Sequence, residues 1–568
     1  YEISCSLVGS EMCIRDSFVT KGLSVQAMVN WKNWASSSYN RTIEPYYYGI
    51  KGGSYNPSNP TDYEIERLGT SGTDYLKTSD ISKASDQTFY LDARVNYDRQ
   101  FNLHHVTGML MYMQREYRSS VLPECNQGFS GRFTYDYGQR YLVELNFGYN
   151  GTERLAKKER FEFFPAVSLG WVISNEKFFE PMTKYIDNLK IRGSYGLVGS
   201  DETGLSAGAQ HFLYIDQVSL NNIGFTTGVD MNYTLYGPLV TNYAVVNGGW
   251  ERVKKLDIGI DLALFRQLTI TADYFNEKRY NILLHREAWP ESLGYYTAKP
   301  WSNKGKVDNW GIELSVNWRK EFTKDLYVDF RGNFTYTENK YVNLDEPVYP
   351  YVWKTSTGKP LSRTTGYIAQ GLFSSQEEID NSPTQNLGST VKPGDIKYRD
   401  VNGDGKIDGS DQVMISPYGT TPRIQYGLGM NVTYKKFDFG VFFNGSAKRT
   451  IMISGISPFG QSDYNVMQFI ADDYWSESNP NPNAKYPRLG LTSSQTANNT
   501  VASTYWMRNG NFIRFKTLEL GYKFKYGRVY LNGDNIAVFS PFKLWDPELS
   551  WNAYPLQRTF NIGVQLNF

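Results

Sequence analysis

Apolar and polar side chains alternate with a period of two residues along almost the whole chain, and this pattern limits the possible folds more than any other feature. Clear examples are the segments 141–149, 256–264, 312–318 and 560–568, in which every second side chain is apolar. A two-residue period is the repeat of a β-strand with one apolar face. Helical periodicity is scarce, so the chain is predicted to be all-β.

Roughly sixteen segments have the alternation and the length of strands that cross a membrane. They lie near 22–33, 87–98, 103–116, 131–138, 140–150, 163–174, 188–198, 253–264, 268–282, 306–319, 325–338, 421–434, 436–449, 512–524, 526–537 and 558–568. Short connections alternate with the long ones at 34–86, 199–252, 339–420 and 450–511, apart from an intermediate connection at 175–187. In an up-and-down barrel this alternation places every long loop at one rim, which is typical of outer-membrane barrels.

The composition favours strands over helices as the elements that cross the membrane. Aromatic residues make up 16% of the chain, yet its mean hydropathy is −0.49. No stretch approaches the roughly 18 to 20 apolar residues of a membrane-spanning helix. The 59 basic and 58 acidic residues leave a formal charge of +1, which argues against a nucleic-acid partner. A soluble all-β protein would show the same alternation and is the alternative fold.

Seven segments after Phe18 carry a resemblance to a known family. They are FFPAVSLGWVISNEKFF (163–179), LKIRGSYGLVGS (189–200), WERVKKLDIGIDLALF (250–265), NKGKVDNWGIELSVNW (303–318), GYIAQGLFSSQEEID (366–380), VKPGDIKYRDVNGDGKIDGSD (391–411) and YPLQRTFNIGVQLNF (554–568). Together, in this order, they resemble the SusC/RagA-type TonB-dependent transporters of Bacteroidetes. The resemblance covers nearly everything after Phe18.

The resemblance implies a single transmembrane antiparallel up-and-down β-barrel of about 22 strands in the outer membrane of a Gram-negative cell. Because only about sixteen strands are found, we expect the first strands, the N-terminal plug and the TonB box to be missing from residues 18–568. By resemblance, the intact protein imports an oligosaccharide or a peptide with a SusD-like surface lipoprotein. Its energy would come from TonB with ExbB and ExbD, and its C-terminal strand resembles the signal read by the barrel-assembly machinery.

The N-terminal segment 1–17 does not match the rest of the chain. Residues 6–17, SLVGSEMCIRDS, resemble a translated sequencing-adapter remnant. We therefore expect the native sequence to begin near Phe18 and to contain one cysteine, Cys125, with Cys5 and Cys13 foreign to it. Without its first strands, the sheet is expected to leave an unpaired edge.

The sharpest local motif is DVNGDGKIDGSD, residues 400–411. Acidic or amide side chains at loop positions 1, 3 and 5, with glycine at position 6, are the pattern that surrounds Ca²⁺ with oxygen ligands. The predicted cation ligands are Asp400, Asn402, Asp404, Lys406 through its carbonyl, Asp408 and Asp411. Position 12 is Asp411 where an EF-hand has glutamate, and a solvated acidic turn is the alternative. The cation would stiffen a loop outside the cell.

No catalytic residues are predicted. The four histidines, His104, His105, His211 and His285, have no acidic or cysteine partners at metal-ligand spacing. No nucleophile elbow or phosphate-binding glycine-rich loop stands in a convincing context. The chain is therefore expected to be a transporter and not an enzyme. Alternatives from other functional classes are a passive porin-like channel and an outer-membrane enzyme barrel.

Overall fold

A computed structural model describes most of the chain. The described residues are 2–15, 20–119, 122–202, 212–245, 247–290, 292, 299–453, 466–490, 492–550 and 553–567, and side chains are described for all of these except 2–15, 223 and 493. Within this part, no helix is long and apolar enough to cross a membrane.

Strands are numbered along the chain. The first sixteen are β1 Glu2–Arg15, β2 Leu23–Ser38, β3 Arg41–Thr42, β4 Tyr47–Ile50, β5 Ile65–Leu68, β6 Lys77–Thr78, β7 Ser82–Phe101, β8 His104–Arg118, β9 Glu124–Tyr137, β10 Tyr141–Thr152, β11 Phe161–Val172, β12 Ile186–Ser200, β13 Gln217–Thr227, β14 Tyr233–Asn242, β15 Glu251–Leu264 and β16 Leu268–His285.

The described part of the second half of the chain contains fifteen further strands and three short α-helices. The strands are β17 Trp301–Thr323, β18 Leu326–Asn343, β19 Thr364–Gly366, β20 Ala369–Leu372, β21 Thr384–Gln385, β22 Ile396–Tyr398, β23 Lys406–Ile407, β24 Val413–Ser416, β25 Ile424–Tyr434, β26 Phe437–Ala447, β27 Thr450–Met452, β28 Met507–Asn509, β29 Phe512–Phe524, β30 Gly527–Phe539 and β31 Thr559–Leu566. The helices are α1 Gln376–Asp380, α2 Gln468–Ala471 and α3 Ser493–Thr500. Short 3₁₀ segments lie at Ile173–Asn175, Lys177–Met182, Val352–Lys354 and Gly409–Asp411.

Within the described residues, seventeen strands form one sheet, in which each strand pairs antiparallel with the next strand of this sheet along the chain. The order is β1, β2, β7, β8, β9, β10, β11, β12, β15, β16, β17, β18, β25, β26, β29, β30 and β31. The sixteen predicted strands are therefore confirmed, and the long connections leave the sheet at one rim. Among the described residues no ladder joins β31 to the first strands. The unpaired edge expected from the sequence stays a prediction.

Strand β1 lies in the segment predicted to be foreign to the protein. It pairs with β2, from Glu2 opposite Ser36 to Arg15 opposite Ser24. This pairing uses main-chain groups, which every sequence supplies, so it does not bear on the origin of the segment. The foreign origin of residues 1–17, and the boundary near Phe18, stay predictions.

The apolar face of the sheet is exposed. On β10, Leu145 is 52% exposed, and its neighbours across the two ladders, Phe133 and Val167, are exposed as well. The apolar positions of β31 follow the same rule, with Ile562 79% exposed. A soluble sandwich would bury this face, because the apolar side of each strand forms its core. The exposed apolar band is the arrangement that requires a hydrocarbon environment.

The opposite, polar face carries ion pairs that cross a whole strand. Arg192 on β12 contacts Asp257 and Asp261 on β15, at 3.1 and 3.3 Å, and extends over Gly259 to Asp273 on β16, at 2.5 Å. Glycine at position 259 leaves the space for this crossing, because a Cβ atom there would lie 2.2 Å from Asp273 Oδ1. A second crossing of the same kind links Arg528 on β30 to Asp438 on β26 over Gly521 on β29.

Replacing Gly259 with alanine is expected to destabilise the sheet by about 1–3 kcal/mol, the usual cost of overpacking. The added methyl group would push Arg192 and Asp273 apart and break their ion pair. Gly193→Ala on the neighbouring strand is the matched control, because its Cβ would meet only Asp257 O at 3.7 Å. Urea unfolding in detergent, followed by heat-modifiable gel mobility, measures the difference. Equal unfolding midpoints would contradict the prediction.

Candidate functional site

Three connections at the rim where the long connections leave the sheet, which we call the outer rim, pack together into one unit. We call this unit the loop platform. It consists of the described parts of 344–423, 448–511 and 540–558. Its buried core contains Tyr367, Leu372, Ile396, Tyr398, Ile407, Ile451, Ile453, Ile470, Trp475, Ala484, Tyr486, Trp506 and Phe542. The sequence predicted long loops at 339–420 and 450–511, but it predicted neither the part played by 540–558 nor a core. Apolar and aromatic residues inside the connections, such as Ile451 and Trp475, were the signal that could have revealed it.

A buried polar network joins the first two connections of the platform. Asp395 accepts two hydrogen bonds from the Arg488 guanidinium, at 3.0 and 3.1 Å, and one from Asn499 Nδ2, at 2.7 Å. Gln385 Nε2 donates to Asn498 Oδ1 at 2.7 Å. Asp395, Asn498 and Asn499 are fully buried, so each of these bonds satisfies a group that water cannot reach. The network therefore holds the two connections in one arrangement.

A buried arginine fixes the third connection. Arg514 on β29 is 1% exposed, and its guanidinium donates to both carboxylate oxygens of Asp546, at 2.6 and 2.8 Å, and to Glu548 Oε2, at 2.8 Å. Ser540 Oγ also donates to the Asn511 carbonyl at 2.7 Å, and Phe542 enters the shared core. The 540–558 connection is thereby attached to the other two.

The predicted cation loop 400–411 lies at the surface of the platform. Asp400 accepts hydrogen bonds from the amides of Gly403 and Gly405, at 2.7 and 2.9 Å. Asp404 Oδ1 accepts from the Lys406 amide at 2.9 Å, and Asp404 Oδ2 accepts from Asn402 Nδ2 at 2.9 Å. These side chains close the turn on its own main chain.

The second half of the same loop is more deeply anchored. Asp411 is fully buried and accepts from the amides of Val401 and Asp408, at 2.8 and 2.9 Å. The Ser410 amide donates to Asp408 and holds the pKa of that carboxyl below its ordinary value. Within the described residues, no three carboxylate, histidine or cysteine side chains converge at metal-binding distance. Cation binding by this loop stays a prediction.

Two aromatic residues are attached to the cation loop. Tyr351 and Trp353 stack on each other, with ring centroids 4.8 Å apart and planes inclined by 12°. Asn402 Nδ2 donates to Tyr351 Oη at 3.0 Å, and Trp353 Nε1 donates to the Ser410 carbonyl at 2.8 Å. The aromatic pair and the loop therefore form one surface element of the platform.

Three further tryptophans of the long connections, and the histidines, lie in other surroundings. Trp475 and Trp506 belong to the platform core and are not available to stack on a ligand. His104 and His105 lie beside a short turn, where they contact Tyr135 and Asp98. His211 and Trp551 lie outside the described residues. The structure brings none of the described histidines into the platform.

The charge of Glu378 is stabilised within helix α1. The Ser374 amide and hydroxyl, together with Lys397 at 2.9 Å, lower the pKa of Glu378 to about 2. A folded-state pKa below the unfolded value of 4.5 means that these contacts contribute fully above pH 4.5. Their contribution is lost as the pH falls from 4.5 to about 2.

We therefore expect the melting temperature of the platform to fall over that acidic range more steeply in the parent chain than in Glu378→Gln. The glutamine variant has no carboxyl to protonate at this position. Tryptophan fluorescence melts between neutral pH and pH 2 compare the two. Parallel pH profiles for the parent and the variant would contradict the expectation.

The sequence profile of a family described as TonB dependent receptor-like, beta-barrel, matches residues 15–536. TonB-dependent receptor P3 of Formosa agariphila is 26% identical over 478 residues, which cover 77% of this chain and 45% of that protein. TonB-dependent receptor SusC of Bacteroides thetaiotaomicron is 27% identical over 469 residues, which cover 78% of this chain and 43% of that protein. The chain thus spans less than half the length of these curated relatives.

Solved structures of similar fold include the RagAB peptide importer. In its open-open state the TM-score is 0.68 at 18% identity, covering 96% of this chain and 59% of that one. In its closed-closed state the TM-score is 0.65 at 17% identity, covering 99% and 61%. At this level of identity the likeness shows the fold.

Proposed function

Because the chain belongs to the TonB dependent receptor-like β-barrel family, we propose that it forms barrel wall and outer loops of an energy-coupled nutrient importer in a Gram-negative outer membrane. The observation that carries the proposal is the exposed apolar face of the sheet, opposite a face with ion pairs such as Arg192 with Asp273. Such a wall separates lipid from a polar interior through which a hydrophilic solute can pass.

The proposed cargo is an oligosaccharide or a peptide. The match to SusC, together with the fold of the RagAB peptide importer, supports transport of nutrients of this size. We further propose that a SusD-like surface lipoprotein binds at the outer rim, where the loop platform lies. Coupling to TonB, ExbB and ExbD would act through the plug of the intact protein, and assembly would use the C-terminal strand β31.

The test of the proposal is made with the intact gene in its source bacterium. Deleting the gene should abolish uptake of fluorescent oligosaccharides or peptides, and complementation should restore it. An uncoupler of the proton-motive force should give the same loss, because energy reaches the outer membrane through TonB. Uptake that survives the uncoupler would indicate a passive channel instead, and cargo cleavage by the purified protein would indicate an enzyme.

We also propose that the loop 400–411 binds Ca²⁺ and stiffens the outer surface. The acidic sequence pattern supports this proposal, and Trp353 beside the loop provides a spectroscopic probe. Terbium added to the folded chain should luminesce on excitation of Trp353, and Ca²⁺ should displace it.

Asp404→Asn keeps an acceptor for the Lys406 amide but removes the charge, so we expect at least about tenfold weaker terbium binding. Asp62→Asn, in an exposed loop outside the platform, is the matched control and should bind like the parent. Equal terbium affinity in Asp404→Asn and the parent would contradict a cation site here.

A further inference from the structure

A groove runs along the platform between helix α1 and the segment 384–391. Its volume is about 630 Å³. Small-molecule sites commonly have volumes of roughly 300–1,000 Å³. The groove is separate from the polar face of the barrel sheet and from the side chains of the predicted cation loop, which do not line it. The volume of the groove is large enough to hold several units of a linear ligand.

The wall of the groove is fixed from behind. The amides of Thr384 and Asn386 donate to the carbonyls of Gly405 and Ile407, at 3.1 and 2.8 Å. Between them Gln385 turns inward, and its side chain accepts from the Tyr398 amide and donates to the Ile396 carbonyl. Ser389 Oγ accepts from the Asn498 amide at 3.0 Å. The groove is therefore preformed, which reduces the cost of ordering it around a ligand.

The polar groups of the groove suit hydroxyls. Gln376 and Asp380 are exposed on helix α1 and are joined by a hydrogen bond of 2.9 Å, so an amide donor and a carboxylate acceptor lie side by side. Thr384, Asn386 and Thr390 are exposed along the opposite wall. Each of these groups can donate to or accept from a hydroxyl, and the Gln376–Asp380 pair can do both to adjacent hydroxyls.

The rest of the lining argues against an anionic ligand. None of the described lining residues is lysine, arginine or histidine, so a sulfate, phosphate or carboxylate would face Asp380 without a compensating cation. Half-buried Ile379, Pro383 and Val391 add apolar surface for the C–H faces of a ring. The amides of Thr384 and Asn386 already have partners, so these two groups cannot pair with a peptide as an added strand.

We infer that this groove binds a stretch of a neutral oligosaccharide, outside the barrel interior. The inference rests on the proposed import function and selects the neutral glycan as the cargo class. The groove captures the glycan at the outer surface, where the loop platform would hold it before passage through the barrel.

The test uses the full chain, folded in a detergent without sugar head groups, and ligand-observed NMR. The probes are maltohexaose, cellohexaose and xylohexaose as neutral glycans, a sulfated dextran oligosaccharide, and a tryptic peptide mixture. We expect saturation transfer to at least one neutral glycan. Thr390→Trp, which fills the groove from an exposed position, and Asn386→Ala should each weaken binding by about tenfold or more. Thr421→Ala, exposed elsewhere on the platform, should bind like the parent.

Three results would overturn the inference: no transfer to any neutral glycan, preferential transfer to peptide or sulfated probe, or equal binding by Thr390→Trp and the parent. Fluorescence melts of each variant verify that the platform is folded. The binding assay needs neither TonB nor the intact gene, so its failure is separate from the failure of the uptake assay. If the chain binds no glycan while the gene still supports uptake, the inference about the groove is wrong and the proposed import function stands.

Discussion

Replacing Arg514 with methionine is expected to release the 540–558 connection from the loop platform. The free energy needed to open this connection locally should fall by about 3–5 kcal/mol. The buried guanidinium is the partner of both Asp546 and Glu548, and its loss leaves the half-buried Asp546 and the exposed Glu548 without that hydrogen-bonded cation. Chymotrypsin should then cleave near Phe542 and Trp545 much faster than in the parent. Native-state proteolysis of the folded chain in detergent measures the free energy of this local opening.

Two further variants distinguish the effect of the buried Arg514 ion pairs from the effect of an exposed ion pair. Lys51→Met removes an ion pair with Glu64 in which both side chains are more than half exposed, so its cost should stay below about 1 kcal/mol. Arg514→Met combined with Asp546→Leu and Glu548→Gln should recover most of the lost protection, because no buried charge remains unpaired. Unchanged cleavage in the single variant would refute the role given to Arg514.

Replacing Trp506 with alanine is expected to lower the free energy of unfolding of the platform core, also by about 3–5 kcal/mol. Trp506 is 1% exposed, and its Nε1 donates to the Asn499 carbonyl at 2.7 Å, so the change creates a cavity and removes a buried hydrogen bond. Hydrogen exchange should accelerate across the described residues of 364–411 and 466–511. Exchange in strands β8 to β12 should stay unchanged, because they lie outside this core.

The control for this cavity is another aromatic residue in a loop. Tyr75 is 65% exposed, so Tyr75→Ala should leave exchange in the platform at the level of the parent. Faster exchange spread evenly over the whole chain in Trp506→Ala would show that the platform is not a separate cooperative unit.

The sheet could be predicted from the sequence because each strand carries its own signal. A face that meets lipid needs an apolar residue at every second position, so the alternation marks the strand without knowledge of its neighbours. The outer strand ends were missed for the same reason. Strand β9 begins at Glu124 although the alternation begins near 131, and β17 begins at Trp301 instead of 306. In these extensions the ladder continues through stretches that lack a regular alternation, such as 124–128 of β9 and 302–305 of β17.

The loop platform could not be predicted in this way. Its defining contacts join residues far apart in sequence, such as Gln385 with Asn498 and Asp395 with Arg488. A periodic pattern of apolar and polar residues does not predict which distant side chains contact each other. The cation loop is intermediate, because its ligand types and spacing can be read from the sequence, whereas the hydrogen bonds of Asp400 and Asp411 to main-chain amides depend on the folded turn.

The shared core of the platform constrains how these loops can be redesigned or can diverge. A surface made of independent loops allows each loop to be exchanged between homologues on its own. Here Ile396, Trp506 and Phe542 come from three different connections and pack into one interior. A chimera that receives only one foreign connection should therefore misfold at its outer surface, and substitutions in the three segments should accumulate together. Engineering a new cargo preference at this rim will require transplanting the three connections as a set.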